Sequence, residues 1–297
     1  MSAHTFEYYE PVGYYQRGPI EDRAAESLGK HRYVSEPPPP PERCTARETK
    51  VQRFTPGYAG WPVGQLVYFA LRWRAEPLRL ILHHAGLPYT LNTISSEEWP
   101  ALKPSVPGGC LPAFTPEDGA TFSESLAIAK HLASLSGTKG LLPKDASAAQ
   151  KAERLFELAN AEPMAQTGDL LNCKIKEEAA SKLAAHVTLA IAALRGVEPE
   201  LCDSGGLFFG GDAAHFGELG LWATVDNLCR LDASLLDQLG APWRAWYDAV
   251  RQLEGVAAYL ECRPAAGSGK VGYPGSMIAS MALDPPPPPV HDYETTS

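Results

Sequence analysis

The sequence predicts a small α/β domain followed by an all-α helical domain, with a proline-rich tail at each end. Three observations predict this. Between residues 63 and 140, short apolar runs of strand length alternate with segments of helical period. From residue 146 onward only the helical period remains. Near each end stands an unbroken run of five prolines, residues 37–41 and 285–289. Such runs favour extended polyproline II and lack the backbone donors that a packed element needs. The expected organisation is a disordered tail over 1–62, an α/β domain over 63–140, a helical domain over 141–263 and a second disordered tail over 264–297.

Each element has its own justification. Residues 65–71 form an apolar run containing Val67, Tyr68 and Phe69, and read as a strand. Residues 74–85 place Leu78, Ile81, Leu82 and Ala85 on one helical face. Pro77 falls in the first turn of that helix, where its missing donor costs little, and Gly86 ends it. Residues 89–94 read as a second strand, and the helix between the two makes a parallel βαβ unit. Residues 97–103 are short and broken by Pro100, so no helix is assigned there. Residues 111–114 and 120–122 are short strands joined by Pro116-Glu117-Asp118-Gly119, a good hairpin turn. Residues 123–135 form a helix with Ser123 as N-cap and Leu126, Ile128, Ala129 and Leu132 as its buried stripe. The order β-α-β, then β-β-α, is that of a thioredoxin-like unit. Helical periods then cover 148–158, 173–194, 215–228 and 243–260, with a glycine-rich loop over 205–211.

Composition excludes several function classes. The formal net charge is −9, and residues 141–262 carry eighteen acids against ten bases. A nucleic-acid partner is not expected, because phosphate binding needs a basic footprint. The six cysteines form no C-x-x-C pair, which favours free thiols over a disulfide framework. No apolar run is long enough to span a membrane, and the acidic N-terminus lacks an apolar leader segment, so a cytoplasmic protein is expected. No metal site is expected: His83 and His84 are adjacent and point to different faces of a helix. Gly267-Ser268-Gly269-Lys270 lacks the spacing and flanking strand of a phosphate loop. The proline runs suit docking to an aromatic-lined groove, or simply a solvated spacer.

Several short motifs cluster between residues 67 and 132. Tyr68-Phe69 is followed by Arg72-Trp73-Arg74-Ala75-Glu76-Pro77. Then come Glu98-Trp99-Pro100-Ala101-Leu102-Lys103-Pro104, Leu111-Pro112 and Ser125-Leu126-Ala127-Ile128-Ala129. On these motifs, residues 64–136 resemble the N-terminal domain of a glutathione transferase, the sigma class above all. Residues 141–262 fit the helical second domain of that family in length and period. The resemblance implies glutathione as co-substrate, a small electrophile as second substrate and a homodimer. Sigma-class relatives include prostaglandin D synthases, which implies glutathione-dependent isomerase or peroxidase activity as an alternative. Non-catalytic lens crystallins derived from the family offer another, a binding or structural role.

The resemblance also implies roles for individual residues. Tyr68 matches the catalytic tyrosine at the strand end, whose hydroxyl donates to the glutathione sulfur and favours its thiolate. Arg74 matches a supporting arginine. Trp99 and Lys103 match contacts to the glycyl end. Leu111 and Pro112 match the dipeptide whose cis bond presents the Leu111 backbone to the cysteinyl part. Glu124 and Ser125 match the γ-glutamyl contacts; the family often has Gln where this chain has Glu124. Phe69 and Trp73 are placed in the electrophile pocket. Two departures stand out. Trp73 occupies a loop position where the family usually has Gly, and Cys110 one where it often has Gln or Lys. Cys110 reads either as a small hydrophobe or as a thiol modifiable beside the bound peptide. In the helical domain, the family's Ser/Thr-x-x-Asp capping box matches His215-Phe216-Gly217-Glu218, where His215 is the poorer cap.

Overall fold

The computed structural model describes residues 51–53, 62–69, 72–95, 97–160 and 176–263. Its sheet holds five strands: β1 (Val51–Arg53), β2 (Gly64–Phe69), β3 (Thr90–Ile94), β4 (Ala113–Pro116) and β5 (Phe122–Ser123). Their order is β1-β3-β2-β4-β5. β2 and β3 run parallel in the register Leu66↔Leu91 and Tyr68↔Thr93. β4 is antiparallel to β2, and β5 to β4, the hairpin that Pro116 to Gly119 announced. β1 lies inside the stretch expected to be tail, yet it pairs antiparallel with the β3 edge. The remainder of the two expected tails, Pro62 apart, lies outside the described residues, the proline runs included.

Nine α-helices are present among the described residues: α1 (Glu76–Ala85), α2 (Trp99–Leu102), α3 (Ser125–Ser134), α4 (Ala146–Asn160), α5 (Lys176–Cys202), α6 (Phe216–Leu231), α7 (Leu235–Leu239), α8 (Ala241–Arg251) and α9 (Glu254–Cys262). α1 crosses between β2 and β3, as the βαβ pattern requires. A 3₁₀ turn, Trp73–Ala75, leads into it, Pro77 stands in its first turn, and Gly86 closes it in the left-handed conformation at φ 67°. Leu78, Leu80, Ile81 and Leu82 are all fully buried, because α1 packs on α3, α6 and α9 and shares one core with Leu66, Leu91 and Phe114 of the sheet. One hydrophobic core therefore runs from Leu66 and Phe114 in the sheet to Trp222, Trp243 and Trp246 among the helices. The closest helix approach needs glycine: a Cβ on Gly217 of α6 would sit 2.0 Å from the Ala152 carbonyl oxygen of α4.

Several boundaries differ from the sequence expectation, and the strands expected over 111–114 and 120–122 are Ala113–Pro116 and Phe122–Ser123. The helix expected over 123–135 starts at Ser125, with Glu124 rather than Ser123 at the N-cap position. Ser123 belongs to β5, and its hydroxyl donates to the Pro107 carbonyl at 2.6 Å. The period over 243–260 is two helices, broken where Leu253 turns extended at ψ 129°. The helix expected over 173–194 runs on to Cys202 through Pro199. Residues 97–103, assigned no helix, contain the single turn α2. Ser95 and Glu98 start that turn reciprocally: the Ser95 N–H donates to Glu98 Oε2 at 2.8 Å and the Glu98 N–H to Ser95 Oγ at 3.2 Å.

Candidate active site at the end of the parallel strands

The site forms where β2 ends. The β2–β4 ladder stops at Val67↔Ala113, so Tyr68 and the cis Leu111-Pro112 dipeptide flank the same end of the sheet. Strand alternation sends Tyr68 and Phe69 to opposite faces. Tyr68 is 5% exposed and belongs to the main core, while Phe69 also packs on a smaller cluster of Val67, Ile94, Val106 and Ala113. The Arg74 backbone N–H donates to the Tyr68 hydroxyl at 3.3 Å, which ties the turn before α1 to the phenol. The Arg74 side chain is exposed.

Trp73 stands between them at φ 31°. That is left-handed backbone, where a residue without Cβ is at ease and a bulky one is strained by about 1–3 kcal/mol. The position thus keeps the backbone that glycine favours while carrying an indole. The Trp73 side chain is half-buried and packs against the main core.

The remaining predicted residues form a rim around the Leu111-Pro112 end. Trp99, at the start of α2, meets Phe69 edge-on with ring centroids 6.0 Å apart. Phe69, expected in the electrophile pocket, is placed against Trp99. Lys103 is exposed, and its stem lies along Gly109, within 3.4 Å of where a Cβ would be. Cys110 Sγ lies 3.7 Å from Glu124 Oε1. Glu124 is exposed at φ 76°, a second non-glycine residue in left-handed backbone, and Ser125 opens α3. The end of α3 therefore presents unpaired-in-helix N–H groups and the positive end of its dipole to this rim.

Beneath the turn lies a charged cluster that sequence reasoning missed. Glu76, the first residue of α1, is 3% exposed. Its Oε2 accepts from Arg79 at 3.2 Å and from the Tyr259 hydroxyl at 3.0 Å. Its Oε1 accepts from Arg263 at 3.2 Å, and Arg263 also donates to Asp226 Oδ2 at 2.9 Å. The Arg72 carbonyl accepts from the Glu76 N–H at 3.0 Å and from Arg79 at 3.4 Å. Burial alone would raise the Glu76 carboxyl, but Arg263, Arg79, Arg72 and the Tyr259 hydroxyl outweigh it and hold it below its usual range. Burial, with Arg263 next, pushes the Arg72 guanidinium down to about 10. Only Glu76 could have been suspected from sequence, as an acid in the first turn of an apolar helix. Arg263 beside Pro264 reads as an ordinary solvated helix-end cation.

No group of three or more His, Cys, Asp or Glu side chains that could hold a metal is found among the described residues, and none of their helices is long and apolar enough to cross a membrane.

Comparison with known proteins points to one family. Residues 75–140 match the family profile "Glutathione S-transferase, N-terminal domain". Hematopoietic prostaglandin D synthase of Gallus gallus is 29% identical over 210 residues, 68% of this chain and 98% of that protein. The class-mu 28 kDa glutathione S-transferase isozyme of Schistosoma japonicum is 45% identical over 73 residues, which are 23% of this chain and 35% of that protein. Among solved structures, the Fasciola hepatica sigma class GST superposes with a TM-score of 0.59 at 25% identity, covering 67% of this chain and 96% of that one. Residues 75–140 thus match the glutathione transferase N-terminal domain, and over its described helical region as well the chain is similar to sigma-class and prostaglandin D synthase members of that family.

Proposed function

We propose that this chain binds glutathione at the rim described above, and that Tyr68 stabilises its thiolate for attack on a small electrophile held against the helical region. The observation that carries the reading is the Arg74 N–H donating to the Tyr68 hydroxyl oxygen at 3.3 Å. The thiol of glutathione is mostly protonated at neutral pH, and the thiolate is the nucleophile. A hydroxyl donating to sulfur favours the charged form. An amide donating into the phenol oxygen polarises the O–H and strengthens it as a donor. The other assignments follow from chemistry. Lys103 pairs with the glycyl carboxylate, with Trp99 packed beside it. The Leu111 backbone, next to Pro112, pairs with the cysteinyl part in the manner of strand addition. Glu124 accepts from the γ-glutamyl ammonium, and Ser125 at the start of α3 receives the γ-glutamyl carboxylate. The Arg74 guanidinium adds a cation that favours the thiolate. Phe69 and Trp73 border the electrophile, and Trp73 narrows its access. The chain acts in the cytoplasm as a homodimer, and the proline runs are its candidate docking sequences for a polyproline-binding partner.

A second reading is isomerisation of the prostaglandin D synthase type, which uses the same thiolate. It is favoured by the 29% identity that spans 98% of such an enzyme. The test is glutathione affinity, ultraviolet titration of the bound thiol and conjugation of an aryl halide, in wild type and Tyr68→Phe. Conjugation is expected to fall on the order of 100-fold in the variant, with affinity changed far less. A chain that binds no glutathione overturns the proposal. Binding with an unchanged thiol titration and rate in Tyr68→Phe overturns the role of Tyr68.

A further inference from the structure

We propose that the helical region tunes the thiolate through a buried cationic surplus, with Arg263 as its central positioning residue. The inference rests on the reading of Tyr68 above and deepens it. Four guanidiniums (Arg72, Arg79, Arg230 and Arg263) share the cluster with two carboxylates, Glu76 and Asp226. Glu76, Arg79 and Arg263 are each under 10% exposed. The hydroxyls that face the cluster are neutral: burial and Glu76 raise Tyr259, and burial and Asp226 raise Tyr247. Burial also lowers His83, whose ring lies tilted against Tyr259 with centroids 4.5 Å apart, to about 4, so it is neutral at pH 7. The balance is thus two positive charges in excess, in a place where water screens little.

Two routes connect this surplus to the sulfur. One is mechanical. Arg263 and Arg79 hold Glu76, and the Glu76 amide and Arg79 hold the Arg72 carbonyl. Two residues on, the Arg74 amide donates to the Tyr68 hydroxyl. The other is the field. Arg72, on the same turn, already feels Arg263, Glu76, Arg230 and Asp226. A thiolate at Tyr68 would complete a cluster that is short of negative charge.

The two routes separate by sign. Asp226 and Arg263 are hydrogen-bonded to each other, so loss of either disturbs the same scaffold. Their charges are opposite. The experiment titrates the ultraviolet thiolate band of glutathione bound to the full chain. Arg263→Met is expected to raise the apparent thiol pKa by roughly 0.5–1, as loss of one nearby charge at intermediate dielectric does. Asp226→Asn is expected to lower it. A shift in the same direction for both variants leaves only the scaffold acting, without the charge surplus, and overturns the proposal, as does no shift for either. Arg230 stands at the cluster's edge, with its side chain 23% exposed and 3.9 Å from Asp226. Arg230→Met therefore serves where Arg263→Met fails to fold: a smaller upward shift supports the proposal and an unchanged titration overturns it. A wild-type chain that binds no glutathione overturns the site reading and this inference together. A wild-type chain that lowers the thiol pKa, with variants that titrate like it, overturns this inference alone.

Discussion

Glu76 in the first turn of α1 and Glu218 in the first turn of α6 are 3% and 1% exposed, so burial opposes ionisation of both. Their surroundings differ in kind. Glu76 meets guanidiniums. Glu218 meets neutral donors: the Gly210 N–H at 3.0 Å, the His215 N–H at 3.5 Å and the Trp246 indole at 3.2 Å. Glu76 is held below its usual range, whereas burial pushes Glu218 up to about 7 against those donors. Neutral hydrogen bonds satisfy the geometry of a buried carboxylate without replacing the hydration it loses; full charges replace it. The difference also sorts the two by role. The ionised one stands under the turn that hydrogen-bonds to Tyr68, and the titrating one closes the capping box of α6.

The largest expected effect tests the ionised member. Glu76→Gln leaves Arg79 and Arg263 buried without the charge they share, and such a break costs about 3–5 kcal/mol. Urea denaturation at pH 7 measures it. A loss under about 1 kcal/mol would mean that the cluster re-pairs through Asp226 and that Glu76 is dispensable. The pH dependence has a definite sign. Because the folded pKa of Glu76 is depressed, its contribution is present above 4.5 and disappears as pH falls through the folded value. The deficit of Glu76→Gln should therefore shrink in acid.

Glu218→Gln should behave in the opposite way. The folded pKa is raised from 4.5 to about 7, so the folded chain binds the extra proton and stability falls as pH rises through that window. Gln mimics the protonated carboxyl and has no such slope. Relative to wild type, the variant should gain up to about 3 kcal/mol between those two pH values and nothing further above them. His215 and Lys151 face the same loop. Burial and Lys151 lower His215, whose contribution is lost as pH falls below 6.5, the reverse slope. Measuring the difference between variant and wild type at each pH removes the His215 slope. A difference that stays flat across the window breaks the comparison.

What the sequence revealed follows the same division between local and distant causes. The strand at Tyr68, the stripe Leu78, Ile81 and Leu82, and the hairpin at Pro116 to Gly119 are local patterns, and the structure carries each where its period placed it. The Ser123 cap was misplaced because the choice between Ser123 and Glu124 turns on a positive φ at Glu124, which no residue type announces. The break at Leu253 hides within an unbroken period, since α8 and α9 feed one core without a glycine or proline between them. The strand Val51–Arg53 owes its existence to backbone pairing along the β3 edge. The residues placed around Tyr68 came from the resemblance of a short stretch of motifs to glutathione transferases. The cluster below them joins Glu76 to Arg263 across 187 positions, and nothing local in either segment encodes that meeting.

The smallest effect isolates what a neutral donor adds to a carboxylate that is already charge-paired. Tyr259→Phe deletes the hydroxyl that donates to Glu76 Oε2 at 3.0 Å, while the ring tilted against His83 stays. Arg79 still donates to the same oxygen. The expected loss in unfolding free energy is about 1–2 kcal/mol, the usual worth of a hydrogen bond to an ionised group and well below that of the charge pair. Thermal and urea unfolding at pH 7 both read it. A loss as large as that of Glu76→Gln would show that the hydroxyl, rather than the guanidiniums, keeps Glu76 ionised, and the contrast with Glu218 would then rest on geometry instead of charge.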